Sequence, residues 1–444
     1  MSDAGAQYGN HQSNGTVIEP NGPVHVTADA AWERHSRQVD RRMALAREWD
    51  DLVQEVRKLD GFHDFLQPPP LDSLLRAAEH GPVVVVNVSR WRCDALLVRR
   101  EGLEAVSLPE LSADDVSRHV AEFLRVLRDD LGTEAGASFS QIIAARLQAR
   151  QERDAVLRSV MEWLWDVVAA PVLEALRITS APADGEPPPR LWWCPTGLLT
   201  LLPLHGAGHH AAADGRAVID RVVSSYTPTL RALDKASKAT EGQADRSEQL
   251  LFVGVPDAPD QIPLVDDVAR EHDFLHARFP GGINVIKGAD ATVEKVQAAL
   301  SVHRWIHLSS HGVQKLDDPS AAGLVLSDGV LTVTRLSSAR YSGEFAFLSA
   351  CRTATGGLNL PDEAITLAAA LNYTGYRHVV ATLWSVHPAV AADVTAAVYP
   401  GLIDAEGRFR PDRAAYAVHE AVRSLRRATD RSLEDWLPFT HTGP

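Results

Sequence analysis

Two short segments of this chain each lead into a side chain that could do chemistry. Trp305–Ser309 is an apolar run of strand length followed by His311, and Phe345–Ser349 is a similar run followed by Cys351. If the two runs are parallel neighbours in one sheet, their carboxyl ends place an imidazole beside a thiol. A thiol with an adjacent base is the minimal equipment of nucleophilic cysteine catalysis. The spacing therefore predicts a cysteine peptidase.

The predicted roles follow from acid–base chemistry. His311 takes the proton of the Cys351 thiol and later protonates the leaving amine, while Cys351 attacks the scissile carbonyl and forms a thioester. The backbone N–H groups of Gly312 and Cys351 are the candidate oxyanion hole, because a glycine allows the close backbone approach that such a hole needs. The sequence does not identify a third residue that orients the base.

Two other interpretations of these residues are less favoured. His303, His307 and His311 would line one face of a helix and suggest a metal site, but the segment has strand character and lacks the Glu of zinc proteases. We therefore predict no metal, and we expect His307 to belong to the core. Cys93 and Cys194 are flanked by apolar or aromatic residues and are predicted to be core residues as well.

Composition excludes several function classes. The chain has 444 residues and a net charge of −14, which argues against a protein that binds a nucleic acid backbone. Three scattered cysteines cannot form a disulfide framework, and no signal peptide or membrane-spanning run is visible. No motif for a nucleotide or another cofactor is present. These observations predict a cytoplasmic protein that uses no cofactor and does not bind membranes.

The pattern of elements predicts the domain organisation. After residue 249, strands alternate with helices, which indicates a mostly parallel sheet flanked by helices. An earlier set of strands and helices predicts a second α/β subdomain before it. The predicted segments are a disordered arm (1–28), a helical segment (29–80), the N-terminal α/β subdomain (81–234), a polar linker (235–248) and the catalytic subdomain (249–444).

Several ordered motifs together resemble the CHAT-domain family of caspase-like cysteine peptidases, relatives of caspases and separases. The matching pieces are Ile306–Gly312, Leu348–Ala354, Asp362-Glu363 with the helix after it, Gly375–Val386, Trp436–Phe439 and, upstream, Trp193–Leu204. The resemblance implies a caspase-like α/β fold, a catalytic His at His311 and a nucleophile at Cys351. It also implies that the N-terminal α/β subdomain is a degenerate caspase-like unit.

The chain departs from the family pattern in two places. The family is usually joined to tetratricopeptide repeats that sense partners, but the residues before position 80 contain no repeat, so we expect an activating sensor to be a separate protein. Separase-like relatives carry an Asp that reads a basic side chain, and here that place holds His387. Asp362, Glu363 and His387 are therefore the candidate substrate-binding residues.

The resulting hypothesis is an endopeptidase that cleaves a specific protein partner, in bacterial defence or regulated cell death by analogy with the family. The alternative is a catalytically silent caspase-like scaffold that binds protein partners. A third reading, a hydrolase of small amides, predicts a closed pocket rather than an open cleft. The sequence does not predict the oligomeric state.

Overall fold

The structure, a computed structural model, describes a defined part of the chain. The described residues are 28–63, 65–128, 138–183, 185–212, 214–238, 247–258, 261, 263–313, 318–349, 366–428 and 431–444. They divide into two compact units, one ending at Pro69 and the other covering Pro70–Pro444. Cys351, Asp362 and Glu363 lie outside the described residues.

The first unit contains one long helix, α1 (Ala28–Arg57). It agrees with the helix that the sequence predicts between Ala30 and Leu59. After the helix, Arg57 Nε donates to the Phe65 carbonyl at 2.8 Å, and the Phe62 and Phe65 rings pack edge to face. The run of prolines from Pro68 follows, and prolines cannot continue a helix.

Strands and helices alternate along the second unit. Its strands are β1 (Val83–Asn87), β2 (Asp94–Arg99), β3 (Gly102–Ser107), β4 (Arg190–Pro195), β5 (Val223–Tyr226), β6 (Ser247–Gly254), β7 (Ile283–Lys287), β8 (His303–Ser309), β9 (Gly312–Val313), β10 (Gly323–Leu326), β11 (Gly329–Thr332), β12 (Phe345–Ser349), β13 (His378–Thr382) and β14 (Phe439–Thr442). Its α-helices are α2 (Leu71–Leu75), α3 (Ala113–Arg128), α4 (Phe139–Leu164), α5 (Ala170–Ala175), α6 (Val218–Arg221), α7 (Leu230–Lys238), α8 (Val265–Arg278), α9 (Val293–Leu300), α10 (Val333–Ser337), α11 (Leu367–Thr374), α12 (Pro388–Gly401), α13 (Ala414–Arg427) and α14 (Leu433–Trp436).

One sheet runs through the whole second unit. Among the described residues it has eleven strands in the order β3-β2-β1-β4-β5-β14-β13-β12-β8-β6-β7. Pairing is antiparallel at β3/β2, β2/β1 and β14/β13 and parallel elsewhere. The predicted mostly parallel α/β sheet is confirmed, and the earlier strands join the later ones in a single sheet through β14. A small sheet, β11-β10-β9, follows β8.

The central strands are buried on both faces, which explains their continuous apolar runs. In β8, Trp305 faces a core shared with α8, α12 and α13, while Ile306 and Leu308 face a second core built from α9, α10 and α11. Full burial of each such side chain contributes roughly 1.5–3 kcal/mol. Helices on both faces of the sheet therefore hold β8 in place along its whole length.

A chain of polar side chains, all buried except the half-buried Arg190, crosses the sheet where β14 joins its two halves. We call Arg190, Ser225, His441 and His378 the seam network. Arg190 Nη2 donates to Ser225 Oγ at 2.7 Å, Ser225 Oγ lies 2.7 Å from His441 Nδ1, and His441 Nε2 lies 3.1 Å from His378 Nδ1. These contacts connect strands from both halves of the sheet.

Candidate active site

The two predicted strands are parallel neighbours in the sheet. β8 and β12 pair in register from Trp305 opposite Phe345 to Ser309 opposite Ser349. The N–H of Ser310 reaches the Ser349 carbonyl at 3.4 Å, just beyond the last paired residues. His311 follows two residues after Ser309, and Cys351 is two residues after Ser349 in the sequence. The expected arrangement of the strands is confirmed, and the pairing of His311 with Cys351 stays a prediction.

The backbone after His311 turns into the small sheet. The N–H of Val325 donates to the His311 carbonyl at 2.8 Å, and Gly312 lies opposite Leu324. In an antiparallel pair, residues that exchange backbone hydrogen bonds alternate with residues that do not, and Gly312 takes the second kind of position. Its N–H therefore points away from β10, as a donor to a bound oxyanion must.

A cavity of about 540 Å³ lies at the carboxyl ends of these strands. Its walls include Ser309, Ser310 and His311 from β8 and its end, Ser349 from β12, and Thr382 from β13, together with the first turns of α8 and α12. Ligand sites of open parallel sheets lie at this edge. Four residues of its wall are exposed at the surface: Gln261, Pro263, Ser385 and His387.

His387 has a clear local role. It is the N-cap of α12, and its Nδ1 accepts a hydrogen bond from the Ala389 N–H at 3.3 Å. The capping contact leaves its other ring nitrogen as the N–H donor. Its place on the cavity wall agrees with a substrate-binding position, which stays a prediction. Asp362 and Glu363, the two other candidates, lie outside the described residues.

A buried carboxylate lies beneath the ends of the two strands. Glu271 on α8 is 3% exposed, and its Oε1 accepts hydrogen bonds from Ser349 Oγ at 2.6 Å and Thr395 Oγ1 at 3.0 Å. Its Oε2 accepts from Ser309 Oγ and lies 3.5 Å from His307 Nε2. We call these five residues the Glu271 network.

The electrostatics of Glu271 favour the ionised form. Burial raises the pKa of its carboxyl group, but the neighbouring His307, Ser309 and Ser349 outweigh burial, so the pKa lies below its usual value. His307 itself is fully buried between the rings of Phe252 and Phe347, and its Nδ1 lies 3.1 Å from the Tyr399 hydroxyl. The expectation that His307 belongs to the core is therefore confirmed.

Sequence reasoning missed Glu271, although a signal was present. Leu264, Val268, Leu275 and Phe279 form the apolar face of α8, and position 271 continues that spacing between Val268 and Leu275. A Glu in an apolar stripe indicates a buried charge with specific partners. The partner serines, at the ends of β8 and β12, had no comparable signal.

The two described cysteines lie in the core, as predicted. Cys93 is 4% exposed and Cys194 is 6% exposed. Burial raises the pKa of the Cys194 thiol to about 12, so this thiol is protonated at neutral pH.

The described residues offer neither a metal site nor a membrane span. Their His, Cys, Asp and Glu side chains form no group that could hold a metal ion. None of the helices they form is both long enough and apolar enough to cross a bilayer.

Comparisons with solved structures reveal distant relatives. The chain resembles separase in two crystal structures of the Saccharomyces cerevisiae separase–securin complex, with a TM-score of 0.58 and 9% identity over 84% of this chain. The match covers 30% and 31% of those separase chains, so this chain corresponds to less than a third of separase. The Arg-specific cysteine proteinase gingipain R matches with a TM-score of 0.42 and 13% identity, over 63% of this chain and 68% of its own.

The likeness to separase shows a shared caspase-like protease fold. No curated protein matches the chain in sequence. The family model of the CHAT domain matches residues 158–444, which include β8, β12 and the cavity at their ends. The chain therefore belongs to the CHAT-domain family.

Proposed function

We propose that this protein is a cysteine endopeptidase that uses His311 and Cys351 to cleave a specific protein partner. The observation that carries the proposal is the parallel pairing of β8 with β12, in which Ser309 lies opposite Ser349. Each reactive residue follows its serine by two positions in the sequence, which supports a place for both at the same edge of the sheet. The cavity at that edge supplies the space for a substrate.

In the proposed reaction, the Cys351 thiol gives its proton to the His311 imidazole, and the thiolate attacks the scissile carbonyl carbon. The N–H groups of Gly312 and Cys351 stabilise the negative oxygen of the tetrahedral intermediate. The intermediate collapses to a thioester when His311 protonates the leaving amine. Water, deprotonated by His311, then hydrolyses the thioester and releases the acid product.

The cavity favours a protein substrate with a long cationic side chain. Its exposed wall residues give it an open mouth, which favours an open cleft over the closed pocket of a small-amide hydrolase. Leu264, Val268 and Pro388 form apolar walls, and the half-buried Asp267 supplies a negative charge. An apolar wall beside a carboxylate suits the stem and head of Lys or Arg.

We also propose that a separate protein controls the peptidase. Separase was crystallised with the protein securin, and a peptidase of this fold accordingly has a precedent for a bound protein partner. By analogy with the family, the cleavage serves bacterial defence or regulated cell death.

The first test is covalent labelling of the intact protein with iodoacetamide, followed by peptide mass spectrometry. We expect Cys351 to react faster than Cys93 and Cys194, and His311→Ala to remove that advantage because the base is lost. His276→Ala is the matched control, since His276 is an exposed histidine on α8. Equal labelling of all three cysteines in the wild type would instead favour the silent scaffold.

The specificity is tested with short peptide substrates that differ only in the residue before the cut. We expect Lys and Arg substrates to be cleaved best, and Asp267→Asn to lower kcat/KM for them by about 10-fold, which corresponds to about 1.4 kcal/mol. A neutral residue cleaved equally well by the wild type and by Asp267→Asn would contradict the cationic preference.

A further inference from the structure

The buried charge of Glu271 needs an explanation beyond stability. Transferring a carboxylate from water to a protein core costs several kcal/mol, and apolar replacements of buried ionic groups are often neutral or stabilising. Glu271 nevertheless occupies the apolar face of α8, among the side chains of a large core. Among the described residues, the partners of its carboxylate are three hydroxyl groups and one imidazole.

The partners lie at the point where the site is built. Ser309 and Ser349 are the last residues of β8 and β12, and both donate to the same carboxylate. A carboxylate only accepts hydrogen bonds, so both serine hydroxyls must turn toward it, which fixes their rotamers. Glu271 thus ties two neighbouring strand ends together from the face of the sheet that α8 covers.

The last backbone contact between the described residues of these two strands is long. The N–H of Ser310 lies 3.4 Å from the Ser349 carbonyl. His311 comes directly after this contact. Side-chain bonds through Glu271 therefore act beside a long backbone contact.

We propose that Glu271 is a positioning residue for the proposed peptidase: by binding Ser309 and Ser349 to one carboxylate, it fixes the ends of the two strands that lead in sequence to His311 and Cys351. This inference rests on the proposed function, because it assigns Glu271 a role through that pair of residues. Glu271 itself touches neither the substrate nor the reacting atoms in this assignment.

Thr395 offers an internal control. Its hydroxyl donates to the same Oε1 as Ser349, but it comes from α12 and touches neither strand through this bond. Thr395→Val keeps the shape of the side chain and removes only this bond. It lowers stability without disturbing the strand ends.

The test measures the rate at which iodoacetamide labels Cys351 in the full chain, as a function of pH. In the wild type, the midpoint of the pH profile lies below the ordinary thiol value of about 8.5, because His311 stabilises the thiolate. Glu271→Gln shifts that midpoint upward by about one unit, so labelling at a pH well below the wild-type midpoint slows by about 10-fold. Thr395→Val keeps the wild-type profile within about twofold. When His311 is already replaced by Ala, adding Glu271→Gln slows the labelling of Cys351 no further, because Glu271 acts through His311 and Cys351.

If Glu271→Gln does not fold, the double variant Ser309→Ala with Ser349→Ala removes the same two bonds and is expected to shift the profile equally. A wild-type profile in Glu271→Gln, or an equal shift in Thr395→Val, would overturn the positioning role and leave the proposed function standing. Wild-type labelling that does not depend on His311 would overturn both.

Discussion

The sheet contains two buried polar networks, and they differ in charge and in position. The Glu271 network is built around an acid and lies at the carboxyl ends of the strands, on the wall of the cavity. The seam network contains a guanidinium and two imidazoles, and no described carboxylate is hydrogen-bonded to it. It lies inside the sheet, where β14 joins the two halves.

This difference changes how each network responds to protons. Burial lowers the pKa of His378 to about 3 and, helped by His378 and Arg190, lowers the pKa of His441 well below its usual value. Both seam histidines are therefore neutral at pH 7, whereas Glu271 is ionised. One sheet therefore contains an ionised carboxylate next to the candidate site and, between its two halves, a hydrogen-bonded network that is sensitive to acid.

The largest expected effect is a loss of stability when the carboxylate of the Glu271 network is removed and its hydroxyl donors are kept. Glu271→Leu leaves three buried hydroxyls without their acceptor, which should lower the free energy of unfolding by about 3–5 kcal/mol. Urea denaturation followed by circular dichroism measures the loss.

The control for this variant replaces the whole network by apolar groups. Adding Ser309→Ala, Ser349→Ala and Thr395→Val to Glu271→Leu removes the unpaired hydroxyls, so most of the stability should return. The rate of Cys351 labelling should stay low. A variant that regains both stability and labelling would show that the charge is dispensable at the site.

Acid distinguishes the two networks, because the seam network loses stability at a higher pH than the Glu271 network does. Between pH 6.5 and pH 5, a histidine that is neutral in the fold is protonated in the unfolded chain, so stability is complete above pH 6.5 and falls as the pH decreases. We expect a loss of roughly 1.5–2 kcal/mol per buried histidine over this range. Glu271 contributes no slope there, because its lowered pKa makes it lose stability only below the ordinary carboxyl value of about 4.5.

The measurement is the free energy of unfolding in urea at several pH values for the wild type and His378→Gln. The glutamine keeps a hydrogen-bonding group but does not titrate, so the slope should decrease by about 1.4 kcal/mol per pH unit. His276→Gln, at an exposed position of α8, is the matched control. If His378→Gln and His276→Gln change the pH slope equally, the acid sensitivity does not come from the seam network.

A serine-to-alanine substitution in each network separates an effect on stability from an effect on the candidate site. Ser225→Ala removes the contacts of one hydroxyl with Arg190 and His441, and Ser349→Ala removes one hydrogen bond to Glu271. Each variant should lower stability by roughly 1–3 kcal/mol, and Ser225→Ala by more than Ser349→Ala. Only Ser349→Ala should slow the labelling of Cys351. Equal labelling rates in the two variants would remove the distinction between the networks.

The smallest change in stability is expected when Arg190 of the seam network is replaced. Burial lowers the pKa of Arg190 to about 10, and its side chain stacks on the ring of Trp192 at 4.3 Å. Arg190→Met removes a half-buried charge and keeps most of the packing, so stability at pH 8 should change by less than about 1 kcal/mol. Urea denaturation at pH 8 measures the change.

Much of the fold after residue 249 was predictable because its signals are local. The apolar runs that lead into His311 and Cys351 predicted β8 and β12, and the alternation of strands and helices predicted their parallel pairing. An Asp-Gly pair between two apolar runs is typical of a hairpin turn, and Asp328-Gly329 does join β10 to β11 in the structure. These features depend on a few consecutive residues.

The features that the sequence did not predict depend on contacts between residues that are far apart along the chain. β14 is a short strand rich in Thr and His, and its place between β5 and β13 follows from pairing that its own sequence does not specify. The bonds of Glu271 to Ser309 and Ser349 join residues 38 and 78 positions apart. A periodic pattern can mark Glu271 as unusual, but it cannot identify residues so far along the chain as its partners.

The position of β14 also fixes the order in which the molecule can be completed during synthesis. β5 is made at residues 223–226, but its neighbour in the sheet is made more than 200 residues later, at residues 439–442. Until then, β5 and β13 each present an unpaired strand edge to the cell, which is a surface prone to mispairing. A nascent chain that has passed β8 but not yet reached β14 therefore has a sheet that is still open in the middle.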